Sequence, residues 1–142
     1  MREILGGKNG VKVIAKIENQ EGVANAQEIA AVADGIMVAR GDLGIETDIA
    51  GLPNLQRELV QTTIRAGRRC IVATHLLESM VEHPIPTRAE VTDVANAIYE
   101  GVDGVMLSAE TSIGKYPVRA VEQIMAIAET SERFPVLGFS KS

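Results

Sequence analysis

The chain has 142 residues, 46% hydrophobic and 23% charged, enough for one globular domain or part of a larger one that buries about two-thirds of its unfolded surface. A net charge of −5 with scattered Lys and Arg argues against a nucleic-acid surface, and 3% aromatic residues with no Trp leave little for base or sugar stacking. No apolar run approaches the ~18 residues of a membrane span, and Met1-Arg2-Glu3 begins no signal peptide, so a cytoplasmic setting, or an organelle stroma or matrix, is expected.

Strand and helix patterns then alternate along the chain. Val11 to Glu18 is a β-branched run bounded by Asn9-Gly10 and Asn19, and Val23, Ala26, Ala30 and Ala33 follow at helical spacing. Gly35 to Arg40 predicts a second, buried strand that opens straight into a turn and a Gly/Asp-rich loop. Leu55, Leu59, Val60 and Ile64 mark a helix that stops near Gly67. Cys70 to His75 predicts a third strand, with Cys70 as a buried core thiol, before a short apolar turn from Leu76 to Val81. After Pro84 and Pro86, Thr87 and Glu90 offer a capping box for a helix with Val91, Val94, Ala95 and Ile98 on one face. Gly104 to Ser108 predicts the fourth strand, and Pro117 opens a last helix through Val118, Val121, Met125 and Ala128. The tail 134–142 has no periodicity and is left unassigned.

Alternating strands and helices predict an α/β fold with a parallel sheet and outer helices. No GxGxxG fingerprint or P-loop is present. Polar residues gather instead at each strand end: Lys16 and Glu18, Arg40 and Asp42, Thr74 and His75, Ser108 and Glu110. That placement fits the active face of a (β/α) barrel, although four units make only half of an eight-stranded ring.

Lys16 and Glu18 lie two apart and share a strand face, and a second carboxylate, Asp42, ends the adjoining strand. Two carboxylates completed by water suit Mg²⁺ or Mn²⁺ better than calcium, and the lack of a Cys/His cluster disfavours zinc. Lys16 beside the metal could stabilise an enolate or a phosphoryl group in flight, and Thr74 offers a hydroxyl for proton relay. A solvated charge network at a barrel mouth explains the same spacing. Ser108 has no matched base and is not read as a hydrolase nucleophile, His83 reads as solvated, and Leu77 and Met80 read as packing residues.

KIEN (16–19), DGIMVARGDLGIE (34–46), ATHLLESM (73–80), PTRAEVTDVANA (86–97) and GVMLSAETSIGKYP (104–117) together resemble the pyruvate kinase catalytic barrel. The resemblance spans about residues 11–131 and corresponds to the second half of that barrel, strands five to eight. It implies four βα units of a TIM-type (β/α)8 barrel over 1–133, and phosphoryl transfer from phosphoenolpyruvate to ADP, giving pyruvate and ATP in glycolysis. By the same resemblance Glu18 and Asp42 match the Mg²⁺ (or Mn²⁺) ligands, and Lys16 the lysine that stabilises the phosphoryl and enolate. Ala39, Arg40 and Gly41, bordered by Asp42, match the segment whose backbone holds the substrate carboxylate. Thr74 matches the threonine implicated in proton delivery. Ser108 and Glu110, with His75, are expected around this site, and Arg88 matches an arginine that crosses the subunit interface.

His75 stands where many members have glutamine, and Ala109 where many have glycine. The residues that hold the phosphate and K⁺ in the complete enzyme, and the lid that closes over ADP, have no match here. The expectation is therefore a chain carrying the metal and enolate half of the site, inactive or weak alone, that associates as a homo-oligomer, with other barrel halves or with whole subunits. Two alternatives remain at this point: a Mg²⁺-dependent lyase or aldolase barrel that forms a pyruvate enolate, and a non-catalytic module that docks on full-length kinase subunits.

Overall fold

Four short runs rich in apolar and small residues form the sheet of the computed structural model, which describes residues 10–134. They are β1 (Ile14–Ile17), β2 (Gly35–Ala39), β3 (Arg69–Ala73) and β4 (Gly104–Met106). They pair in chain order, every pair parallel, with Ile17, Val38, Val72 and Val105 in register. Parallel neighbours need crossovers. These are helices α1 (Gln20–Ala24) and α2 (Ala26–Val32), then α3 (Arg40–Glu46) and α4 (Leu52–Arg65), then α5 (Arg88–Tyr99). Helices α6 (Ala109–Ser112) and α7 (Pro117–Glu132) follow β4.

Side chains alternate across a strand, so one set of residues faces the helices and the other faces away. Ile36, Val38, Cys70 and Val72 join Leu59 and Val60 of α4 and Val94 and Ala97 of α5 in one buried core. Burial pushes the Cys70 thiol up to about 11, which makes it an inert core group. Lys16, Met37, Ile71 and Gly104 share the opposite register line. This second face is open among the described residues, with Ile14 38% and Met106 37% exposed. The four-stranded sheet with helices on one side is the α/β arrangement expected of a partial barrel, and it is not closed. No helix among the described residues is long and apolar enough to cross a membrane.

Two Asp-Gly pairs begin the second strand of each half. The Asp34 amide donates to the Val13 carbonyl and its carboxylate accepts from the Val13 amide, both at 2.8 Å. Asp103 repeats this double contact with Cys70, again at 2.8 Å for each bond. A side chain thus satisfies the Val13 amide, and β1 starts at Ile14, later than the run from Val11 suggests.

Other boundaries differ for identifiable reasons. The helix expected across 23–33 is broken at Asn25, whose φ of −102° and ψ of 13° leave the helical basin. The turn expected after β2 is helix α3, because Leu43 is fully buried in the core. Arg40 belongs to that helix, not to the strand. The third strand ends at Ala73, since Thr74 and His75 take φ values of 70° and 52° that no strand permits. The fourth ends at Met106, and 109–112 forms the short helix α6.

The helix signals in the sequence fare better. The Thr87–Glu90 capping box is present at the start of α5, and Pro117 occupies the first turn of α7. Helix α4 ends through Gly67, at φ 66°, with the Arg68 amide returning to the Thr63 carbonyl at 3.1 Å. Leu77 and Met80 are buried packing residues, and His83 is exposed. Of the unassigned tail only Phe134 falls among the described residues; 135–142 lie outside them, as do residues 1–9 of the expected domain.

Gly35 sits where β1 and β3 crowd β2. A Cβ there would lie 2.8 Å from the Arg69 carbonyl oxygen and 2.8 Å from Ile14 Cδ1. Gly35→Ala is expected to destabilise the fold by about 1–3 kcal/mol in urea unfolding; an unchanged midpoint would contradict this packing.

Candidate active site

The parallel register carries β1 and β2 to the same end of the sheet, so Glu18, just past β1, meets Asp42 in the first turn of α3. Lys16 lies between them. Its ammonium donates to Asp42 Oδ2 at 2.9 Å and also pairs with Glu18. An open cleft of about 490 Å³ borders the cluster, lined by Lys16, Glu18, Asn19, Asp42, Ile45 and Glu46.

The three side chains are 51%, 44% and 54% exposed for Lys16, Glu18 and Asp42, so water and salt screen their attraction. The direction of the effect is still clear. Hydrogen bonding to Glu18 and then to Asp42 holds the Lys16 pKa above its ordinary value, and hydrogen bonding to Lys16 holds the Asp42 carboxyl below its own. Lys16 is therefore a fixed cation at neutral pH and not a base.

The two carboxylates come from different strand ends and converge on one positive charge. Two such carboxylates are oxygen donors of the kind that could hold Mg²⁺ or Mn²⁺ completed by water. Among the described residues no group of three or more His, Cys, Asp or Glu side chains forms an all-protein metal cage.

Thr74 approaches from β3. Its hydroxyl accepts from the Gly41 amide at 2.7 Å and donates to the Ala73 carbonyl at 2.6 Å. This places the hydroxyl against the residue next to Asp42. His75 is exposed, and its ring lies close to Gly41. Ala39 is fully buried and Arg40 nearly so, and the half-buried Gly41 already donates its amide to Thr74.

The Arg40 side chain is not beside the carboxylate cluster. Its guanidinium, 8% exposed, is committed to Asp93 of α5 and to the Thr74 and His75 carbonyls. Glu110 is likewise fully buried and accepts from the Leu77 amide at 3.1 Å and the Ser108 amide at 2.8 Å. Both carboxylate oxygens of Glu110 thus brace two loops. Arg88 is exposed on the first turn of α5. Asp93 and Gln56 are the residues that sequence reasoning passed over. A polar Asp between Val91 and Val94 and a buried arginine in need of a counter-charge were the available signals.

Residues 1–121 match the family model described as "Pyruvate kinase, barrel domain". A pyruvate kinase of Chlamydia trachomatis serovar D is 53% identical over 135 residues, covering 94% of this chain and 28% of that protein. A pyruvate kinase of Thermococcus litoralis is 55% identical over 130 residues, 91% of this chain and 27% of the relative. That of Methanocaldococcus jannaschii is 50% identical over 125 residues, 88% and 28% respectively. The chain thus spans little more than a quarter of the length of these relatives.

The charge cluster has a pH window set by its two ends. Asp42 is held below 3.8, so its contribution is present above that value and lost as pH falls through the depressed pKa. Lys16 is held above 10.5, so its contribution is present below that value and lost as pH rises through the raised pKa. In an NMR titration the Asp42 midpoint is expected below 3.8 and should rise towards it in Lys16→Met; a midpoint indifferent to that substitution would show that the contact is not made in solution.

Proposed function

Because the chain belongs to the pyruvate kinase family, we propose that residues 1–133 are the second half of its catalytic barrel and carry the metal- and enolate-binding half of the site. Enzymes of this family transfer the phosphoryl group of phosphoenolpyruvate to ADP in glycolysis, and generally use Mg²⁺ and K⁺. The observation that carries the proposal is the convergence of Glu18 and Asp42 on the Lys16 ammonium.

Glu18 and Asp42 would hold Mg²⁺ or Mn²⁺, which when bound supplies Lewis-acid charge to the substrate oxygens. Lys16 stays protonated and adds a fixed positive charge where negative charge grows on the phosphoryl and the enolate oxygen. The backbone of Ala39–Gly41 receives the substrate carboxylate. The Thr74 hydroxyl, hydrogen-bonded on both sides, holds the proton destined for the enolate carbon. Ser108, Glu110 and His75 act at one remove by fixing the loops around this centre.

Phosphoryl transfer is mainly positioning and electrostatics, so half of the clamp gives little turnover. ADP and K⁺ would be held by the other half of the barrel, supplied by another polypeptide or by more of the same one. Among the described residues the edges of β1 and β4 are unpaired; these edges and the half-open face carrying Ile14, Met37, Ile71 and Met106 support association with such a partner, as does the exposed Arg88. A glycolytic role would fit the cytoplasm, or an organelle stroma or matrix.

Calorimetric titration of oxalate, an enolpyruvate mimic, tests the site: binding is expected with Mg²⁺ or Mn²⁺, and is expected to vanish without metal and in Glu18→Gln. Absence of binding by folded protein would sink the proposal. In sedimentation velocity the chain is expected to run as a dimer or larger species, and a single-chain species at all concentrations would contradict the association.

A further inference from the structure

One buried cation touches none of the carboxylates proposed for the metal. Arg40 is 7% exposed and every donor direction of its guanidinium is used. Nη1 donates to both carboxylate oxygens of Asp93, at 2.8 and 2.7 Å, and more weakly to Gln56 Oε1 at 3.4 Å. Nε and Nη2 close on the Thr74 carbonyl at 3.1 and 2.7 Å, and Nη2 also reaches the His75 carbonyl at 3.0 Å. Gln56 is itself held by Glu100 at 2.9 Å.

The two carbonyls gripped in this way belong to the only non-glycine residues with positive φ among the described residues, Thr74 at 70° and His75 at 52°. A left-handed backbone is costly for a β-branched residue, and two in succession persist only when their surroundings hold them. The guanidinium supplies that hold from the carbonyl side. The same residue acts from the other side through its backbone, since the next amide, Gly41, donates to the Thr74 hydroxyl at 2.7 Å.

From this arrangement we infer that Asp93, on α5 and remote in sequence from the strand ends, is a positioning residue that acts through Arg40 on the Thr74 hydroxyl. Arg40 cannot shed its charge by deprotonation, so it needs a buried counter-charge to stay folded inward. Asp93 provides it. Without that carboxylate the guanidinium turns towards solvent, the Thr74 and His75 carbonyls are released, and the backbone relaxes out of the left-handed region. The Thr74 hydroxyl then leaves Gly41. Lys16, Glu18 and Asp42 make none of these contacts, so metal affinity is untouched while binding of the carboxylate ligand weakens. This last, functional part rests on the reading of Thr74 given above; the positional part does not.

The test is Asp93→Asn in the full chain, read by NMR and by calorimetry. Backbone chemical shifts of Thr74 and His75 are expected to lose their left-handed pattern, and the Gly41 amide is expected to exchange about tenfold faster with the Cys70 amide still protected. Oxalate affinity in the presence of Mg²⁺ should fall about tenfold, with Mn²⁺ affinity alone unchanged. Wild-type shifts at Thr74 and His75 together with a protected Gly41 amide in Asp93→Asn would overturn the inference. So would equal loss of metal and oxalate binding, which marks a general structural role. If the wild-type chain binds no oxalate, the functional proposal fails, yet the shifts and exchange still decide the positional one. If Asp93→Asn does not fold, Asp93→Glu replaces it, moving the charge by one methylene. There a Gly41 amide exchanging about threefold faster supports the inference, and an unchanged turn and amide overturn it.

Discussion

The side chain of Arg40 sets the constraint under which this end of the fold is built. A guanidinium keeps its charge under all relevant conditions, and burying one requires a partner for each of its donors. Those partners come from three places: Asp93 and Gln56 on the two packed helices α5 and α4, and the carbonyls of Thr74 and His75 just past β3. Helix α3, which begins at Arg40, carries Asp42 two residues later.

The site has two parts of different physical character. Lys16, Glu18 and Asp42 are half exposed and screened, so their mutual attraction is too weak to fix their geometry. The parallel register of β1 and β2 brings them to one end of the sheet. Lys16 is a counter-cation between the two carboxylates, and its raised pKa keeps it charged across the neutral range. The chain spans 28% of the relatives in the longest matches, which is why turnover is proposed only for a larger assembly.

The repeated strand-helix pattern was legible because apolar periodicity, capping boxes and helix-ending glycines are local signals. Thr87 with Glu90, Gly67 and Pro117 each acted as the sequence suggests. The convergence of Lys16, Glu18 and Asp42 could also be anticipated, since it needs only strand alternation and a parallel neighbour. What stayed hidden depends on tertiary contacts. Nothing local says that Arg-Gly-Asp-Leu-Gly begins a helix; burial of Leu43 in the core decides that. Nor does spacing reveal that Arg40 faces Asp93, 53 positions away, or that Glu110 is buried as an acceptor of two loop amides. Asn25, Thr74 and His75 depart from helix and strand through backbone angles that propensity does not encode.

The central claim is that Glu18 and Asp42 form one preorganised cation site beside Lys16. Titration of Mn²⁺ into isotope-labelled protein, followed by paramagnetic broadening of backbone amides, tests it most directly. The account predicts early broadening confined to residues around Glu18 and Asp42, reversed by excess Mg²⁺ and absent in Glu18→Gln. Broadening that appears equally near other surface carboxylates such as Glu21, Glu28 and Glu82, with no preference for this end of the sheet, would contradict it.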